Sequence, residues 1–248
     1  MKLKIISLFM ISLMMSTCSL SINSTPIGYN YNTERTVKYL PRDSFLHILA
    51  KEYYEYCYTT DEKEECVIIN SGGASSGSAF VVYNTVNGSL VITADHVCRP
   101  SSPRTKQKLI LTTLTGEEFE AKIVKRDSLR QNDICMLYAE NLKKPPVKLA
   151  LNKPLPGAKL FNIAAPAGIF NEGMVPILEG RYNGVSFHGC AMYSIPAAGG
   201  SSGSMVLNNN FELVGIIHSL RFPTVTLGPR FKVLSKFIRE GIKKYSDL

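Results

Sequence analysis

Three short segments carry side chains that could carry out nucleophilic chemistry together. Gly199-Gly200-Ser201-Ser202-Gly203-Ser204 sets serine hydroxyls among glycines. Val91-Ile92-Thr93-Ala94-Asp95-His96-Val97 ends an apolar run in a histidine, and Asn132-Asp133-Ile134-Cys135-Met136-Leu137 puts an acid at the mouth of another. A serine hydroxyl is a poor nucleophile until a base takes its proton, and neutral imidazole suits that task near neutral pH. A carboxylate on the far ring nitrogen fixes the tautomer and steadies the imidazolium. Attack on a carbonyl makes an oxyanion, which needs preorganised donors. The backbone amides of Gly200 and Ser202 can face one point if Gly200 takes a conformation that a side chain would obstruct. His96, Asp133 and Ser202 are therefore the candidate catalytic residues, with Gly200 and Ser202 as the candidate oxyanion donors. Asp127 is a rival acid, although the strand starting at Ile134 favours Asp133; Ser201 and Ser204 are rival nucleophiles. Each segment alone is weak, since a serine among glycines is usually only a turn. Their order and shared setting give them weight.

The rest of the chain must hold these segments together. From Cys66 onward, short β-rich runs alternate with Gly, Asn, Ser and Pro clusters, the texture of an all-β sandwich or barrel. Strands are predicted over 66–70, 78–83, 89–93, 108–113, 117–124 and 134–138. A second set follows over 159–164, 174–182, 184–186, 191–195, 204–207 and 213–218. Asn87-Gly88 and Thr115-Gly116 are turn signals between such runs. Asp43 and Ser44 can cap a helix, and Phe45, Ile48, Leu49, Tyr53 and Tyr56 follow at helical spacing. This predicts one helix ahead of the β-rich part. Phe231, Leu234, Phe237, Ile238 and Ile242 predict an amphipathic closing helix, with Gly241 weakening its last turn.

The chain has 248 residues, 45% hydrophobic and 19% charged, an ordinary balance for a protein that buries a core. Lys2 and Lys4 precede an apolar run from Ile5 to Met15, and small and polar residues follow. That order predicts a signal peptide over 1–22, and the run is too short for an ordinary membrane span. Met15-Ser16-Thr17-Cys18 offers an alternative, lipid anchoring through Cys18. A secreted or periplasmic protein with no membrane span is expected, with an N-terminal extension over 23–65 and the main domain over 66–248. The formal charge of +8 is scattered, and no groove-reading motif is present, so no specific nucleic-acid partner is expected. Of the six cysteines, Cys57 and Cys66 flank a charged, turn-like stretch suited to a local bridge. The pairing of Cys98, Cys135 and Cys190 is not legible. No CxxC pair occurs, so neither a zinc site nor any cofactor is expected.

The chain resembles the chymotrypsin-like serine peptidases, in particular the bacterial trypsin-like branch that includes the high-temperature-requirement proteases and the glutamyl endopeptidases. Gly77-Ser78-Ala79-Phe80-Val81-Val82 resembles the family strand that leads toward the histidine. Thr93-Ala94-Asp95-His96-Val97 resembles the Thr-Ala-Ala-His motif, and Asp133-Ile134-Cys135-Met136-Leu137 the run that carries the acid. Ala165-Pro166-Ala167-Gly168 resembles a turn early in the second barrel. Gly200-Ser201-Ser202-Gly203-Ser204 and Leu213-Val214-Gly215-Ile216-Ile217 resemble the nucleophile loop and the strand after it. The resemblance implies two six-stranded antiparallel β-barrels with the site in the cleft between them, and a serine endopeptidase acting on polypeptides. A catalytically silent relative serving as a binding module is the alternative. The family pattern, with glycine two before and one after the serine, selects Ser202. Asp95 departs from it, because a small residue is usual directly before the histidine.

The resemblance also implies a specificity pocket lined by Pro196, Ala197, Ala198, His218, Ser219 and Leu220. No acid lies among them, so a preference for Lys or Arg is not expected and small or apolar side chains are. His218 offers a second option, because glutamyl endopeptidases carry a Gly-Ile-His run here that helps bind an acidic side chain. This chain is one residue longer, Gly215-Ile216-Ile217-His218, and a shift of one residue along a strand reverses the face. On that count His218 packs or hydrogen-bonds beside the triad instead.

Overall fold

A computed structural model describes residues 40–60, 63–222 and 224–248. The signal peptide expected over 1–22, the Cys18 anchor and most of the N-terminal linker lie outside the described residues. Six strands form a closed antiparallel barrel: β1 (Phe45–Thr60), β2 (Lys63–Asn84), β3 (Gly88–Ala94), β4 (Lys106–Thr113), β5 (Glu118–Asp127) and β6 (Ile134–Glu140). Their order around the barrel is β1-β2-β3-β6-β5-β4. All seven residues of β3 are buried. Successive side chains point to opposite faces of a strand. Val91 therefore joins the barrel interior, while Leu90 and Ile92 join a core between the two sheets. β6 splits the same way, with Cys135, Leu137 and Ala139 inside and Ile134 and Met136 outside. Burial on both faces explains why these runs read as continuously apolar. Each of the buried Val, Leu, Ile and Met side chains contributes roughly 1.5–3 kcal/mol.

The helix expected at the start of the domain is instead β1, so the barrel begins at Phe45 rather than at Cys66. Phe45, Ile48 and Leu49 satisfy a helical period, but Leu46, Ile48 and Ala50 equally satisfy a period of two and are the ones buried inside the barrel. β1 lies between β2 and β4, with Leu46 paired to both Ala79 and Thr113. Two ladders of backbone hydrogen bonds outweigh a local helical preference. Cys57 and Cys66 pair directly across the β1–β2 hairpin and form the expected disulfide.

The second sheet is a half-barrel of seven segments: β7 (Lys159–Ile163), β8 (Ile177–Val185), β9 (Ala191–Tyr193), β10 (Met205–Leu207), β11 (Leu213–Ile216), β12 (Ser219–Phe222) and β13 (Val225–Gly228). Their order is β11-β10-β7-β8-β9-β13-β12. β11 and β12, the two ends of that order, are separated in the chain only by Ile217 and His218. The His218 N–H donates to the carbonyl of Leu227 in β13 at 2.9 Å, so the seven segments trace six strands of a rolled sheet. Leu160, Tyr193, Val206 and Val214 fill its interior. Helix α1 (Phe231–Tyr245) lays Leu234, Phe237 and Ile238 into the core between the sheets. It runs through Gly241, where a side chain would collide with Met136. Among the described residues no helix is long and apolar enough to cross a membrane.

Candidate active site

β3 delivers the chain into a tight 3-10 turn, Asp95–Cys98, that carries His96. Two links hold that turn against the start of β6. The first is a disulfide between Cys98 and Cys135. The second is a backbone bond from the Asp95 N–H to the carbonyl of Asp133, 3.0 Å. Asp133 itself sits in the left-handed region at φ 47°, which Asp tolerates better than most residues. There its Oδ1 accepts the backbone N–H of His96 at 2.8 Å. Asp95, the unexpected acid, is fully buried. Its carboxylate accepts Arg126 Nε at 2.5 Å and Arg99 Nε at 2.6 Å. Arg99 also donates to the carbonyl of Ser128 at 3.1 Å. Burial works against the charged form of Asp95, but the two guanidinium groups outweigh it and hold its pKa below the ordinary carboxylate value. This ion cluster, with its carboxylate buried, joins the His96 turn to β5 and to the loop that leads to Asp133.

The glycine-rich loop that carries Ser202 is anchored to the first barrel by a residue whose sequence context did not mark it. Ser78 of β2 is buried. Its N–H donates to the carbonyl of Ser202 at 2.8 Å and its hydroxyl to the carbonyl of Gly200 at 2.8 Å. The same hydroxyl accepts the N–H of Ala165 at 3.0 Å. The only sequence signal was its neighbourhood, Gly77-Ser78-Ala79 in a matching strand. Gly203, at φ +86°, passes so close to the Ser78 carbonyl that no side chain would fit. Gly200, at φ +91°, is likewise crowded by the carbonyl of Ala165. The carbonyl of Gly199 accepts the N–H of Ala167 at 2.5 Å. That bond turns the Gly199–Gly200 peptide so that the Gly200 N–H points away from Ala167. Among the described residues, neither the Gly200 nor the Ser202 N–H donates to a protein acceptor.

The three candidate side chains meet. His96 Nδ1 lies 2.7 Å from Asp133 Oδ2, and His96 Nε2 lies 2.9 Å from Ser202 Oγ. The His96 side chain is 47% exposed and that of Asp133 14%, so the ring stands at the surface with its acid behind it. Burial pushes the Asp133 pKa up, but the bonds and positive charge from His96 outweigh it, and the net direction is down. The rivals are engaged elsewhere. Asp127 accepts the Leu129 N–H at 3.2 Å and Asn132 Nδ2 at 2.8 Å, which shapes the turn before Asp133. Ser201 Oγ accepts the Ala198 N–H at 3.3 Å, and Ser204 Oγ accepts Asn162 Nδ2 at 2.8 Å; both serines are buried. Such an arrangement can move a proton from the Ser202 hydroxyl to His96 while leaving two amide donors free for an oxyanion.

The expected pocket residues divide. Pro196 and Ala198 are exposed, Ala197 is half-buried, and Ser219 and Leu220 lie on β12 with Leu220 exposed. His218 departs from that group. Its side chain is 4% exposed, and Nδ1 lies 4.0 Å from Asp133 Oδ2. A ring so enclosed faces the acid rather than an open surface. Cys190 is a buried free thiol in the turn just before β9, and no chemistry attaches to it here.

Comparison with known proteins agrees with this geometry. No curated protein sequence matches the chain. Residues 77–216, more than half of the chain, match the trypsin-like peptidase domain. That span starts at the strand holding Ser78, includes all three meeting side chains and ends with β11. The chain belongs to the family of trypsin-like peptidase domains.

Proposed function

We propose that the protein is a serine endopeptidase in which His96, Asp133 and Ser202 form a catalytic triad and Gly200 and Ser202 supply the oxyanion donors. The observation that carries this reading is one imidazole lying within hydrogen-bond reach of a carboxylate on one side and a serine hydroxyl on the other. Ser202 Oγ attacks the peptide carbonyl as its proton passes to His96 Nε2. The oxyanion takes hydrogen bonds from the Gly200 and Ser202 amides. The C–N bond breaks, the amine leaves with the proton from His96, and an acyl-enzyme remains. Water then attacks the ester with His96 as base, which releases the acid and restores the Ser202 hydroxyl. Asp133 holds the ring in the productive tautomer and stays ionised throughout.

The substrate on this reading is a polypeptide, cleaved next to small or apolar side chains presented near Pro196, Ala197, Ala198 and Leu220. Two disulfides support an oxidising compartment, outside the cell or in a periplasm. The test is hydrolysis of a peptide library by the purified protein, beside Ser202→Ala with an unchanged unfolding midpoint. Cleavage that disappears in the variant supports the proposal. A folded wild type that cleaves nothing refutes it and favours a silent binding module.

A further inference from the structure

The proton route just described leaves one buried imidazole unused. The break between β11 and β12 falls at Ile217 and His218. The backbone there is fixed by the bond from the His218 N–H to Leu227. The His218 side chain is 4% exposed, and its Nδ1 lies 4.0 Å from Asp133 Oδ2. That oxygen is the same one that holds His96 Nδ1 at 2.7 Å. His218 Nε2 is buried with no hydrogen-bond partner among the described residues. The groups that face the ring are the Asp133 carboxylate, the His96 imidazole and the backbone carbonyls of Gln131 and His218 itself.

We infer that His218 is a positioning residue for Asp133, a second imidazole that shares the carboxylate with His96 and sets how tightly the acid holds the His96 proton. This rests on the triad reading above. At 4.0 Å the contact is electrostatic, since a hydrogen bond needs a closer approach. A lone pair on Nδ1 would repel the carboxylate, so the favoured tautomer carries its hydrogen on Nδ1. That N–H dipole draws part of the negative charge of Oδ2 away from His96. Burial lowers the His218 pKa, with the positive charge of His96 lowering it further and Asp133 opposing both, so the ring is neutral in the working range. On acidification, a proton on either ring discourages a proton on the other, because both are served by one carboxylate. Both effects loosen the grip of Asp133 on a protonated His96.

The test is the pH profile of kcat/KM for wild type, His218→Phe and His218→Gln. Phenylalanine keeps a planar ring without a donor, and glutamine keeps an N–H donor that does not titrate. With the donor gone, more of the carboxylate charge bears on His96, so the acid limb in His218→Phe should move to higher pH by about half a unit or more. His218→Gln should bring the limb back toward its wild-type position. An unmoved limb in a folded, active His218→Phe overturns the inference, as does a glutamine variant that behaves like phenylalanine. If His218→Phe does not fold, imidazole 15N NMR of the wild type decides. A His218 hydrogen on Nδ1, with titration linked to that of His96, supports the sharing; a hydrogen on Nε2 or independent titration contradicts it. Because NMR needs no turnover, a protein that hydrolyses nothing yet shows linked rings would refute the peptidase reading and sustain the pairing.

Discussion

Replacing Asp95 by Asn should cost less stability than replacing its partner Arg126 by Met. The Asp95 side chain is 0% exposed, whereas Arg99 and Arg126 are 44% and 35% exposed. Breaking a buried pair costs about 3–5 kcal/mol, because a charge is left without its partner in a poorly solvated place. Arg126→Met leaves that charge on Asp95, with Arg99 as its remaining cationic partner, and should cost about 3 kcal/mol. Asp95→Asn leaves the charge on two arginines that can turn to water, while the amide oxygen still accepts one hydrogen bond, so about 1–2 kcal/mol is expected. The difference shows in urea denaturation at pH 7.5 as unequal midpoints at equal slope. The sign with pH is also fixed. The folded Asp95 pKa is held below its ordinary value, so its contribution is full above about pH 4 and fades as pH falls through the folded pKa. Arg126→Met weakens that hold and moves the folded pKa toward the unfolded value, so the variant should lose less stability on acidification, over a window that closes at higher pH than in wild type. If Asp95→Asn proved as costly as Arg126→Met, or both lay within about 0.5 kcal/mol of wild type, the assignment of this cluster as the anchor of the His96 turn would be wrong.

Further outcomes follow from the same geometry. Gly200→Ala should lower kcat about 10²–10³-fold, because a Cβ would collide with the Ala165 carbonyl and move one oxyanion donor; a loss under threefold would deny that amide its role. Replacing both Cys98 and Cys135 by Ser opens a bridge with a sequence separation of 37 and should cost about 4 kcal/mol by the loop-entropy relation, read from the denaturation midpoint. Acidification should destabilise the protein in two stages. His218 and His47 have pKa values lowered by burial. Their unfolded forms therefore take up protons first, and stability should begin to fall near pH 6.5, before the carboxylates contribute. His218→Gln should flatten that first stage, and an identical slope in the variant would exclude His218 as its source.

What the sequence disclosed about the candidate site was which three side chains come together. His96, Asp133 and Ser202 stood in segments where a β-run met a turn, and each lies at such a junction in the structure. Gly200 and Gly203 were legible for the same reason, since both sit at positive φ where a side chain would collide with backbone. Contacts between distant segments were not legible. Ser78 looked like any strand serine because its partners, Gly200 and Ser202, lie far along the chain. Asp95 stood out as a charge in an apolar context, yet Arg126 is paired to it only through the β5–β6 register. The bridge between Cys98 and Cys135 depends equally on fold geometry. β1 was misread because Ile48 fits both periods, and only its two sheet neighbours settle which applies. β12 and β13 escaped notice because they are four residues each and flank Pro223.

Covalent labelling of the purified protein with a fluorophosphonate, read by intact mass and peptide mapping, tests the central claim most directly. The arrangement around His96 predicts a single adduct on Ser202, none on Ser201 or Ser204, and none after denaturation. Asp133→Asn should label far more slowly. A folded protein that takes no label at Ser202, or that takes it on another serine, contradicts the account.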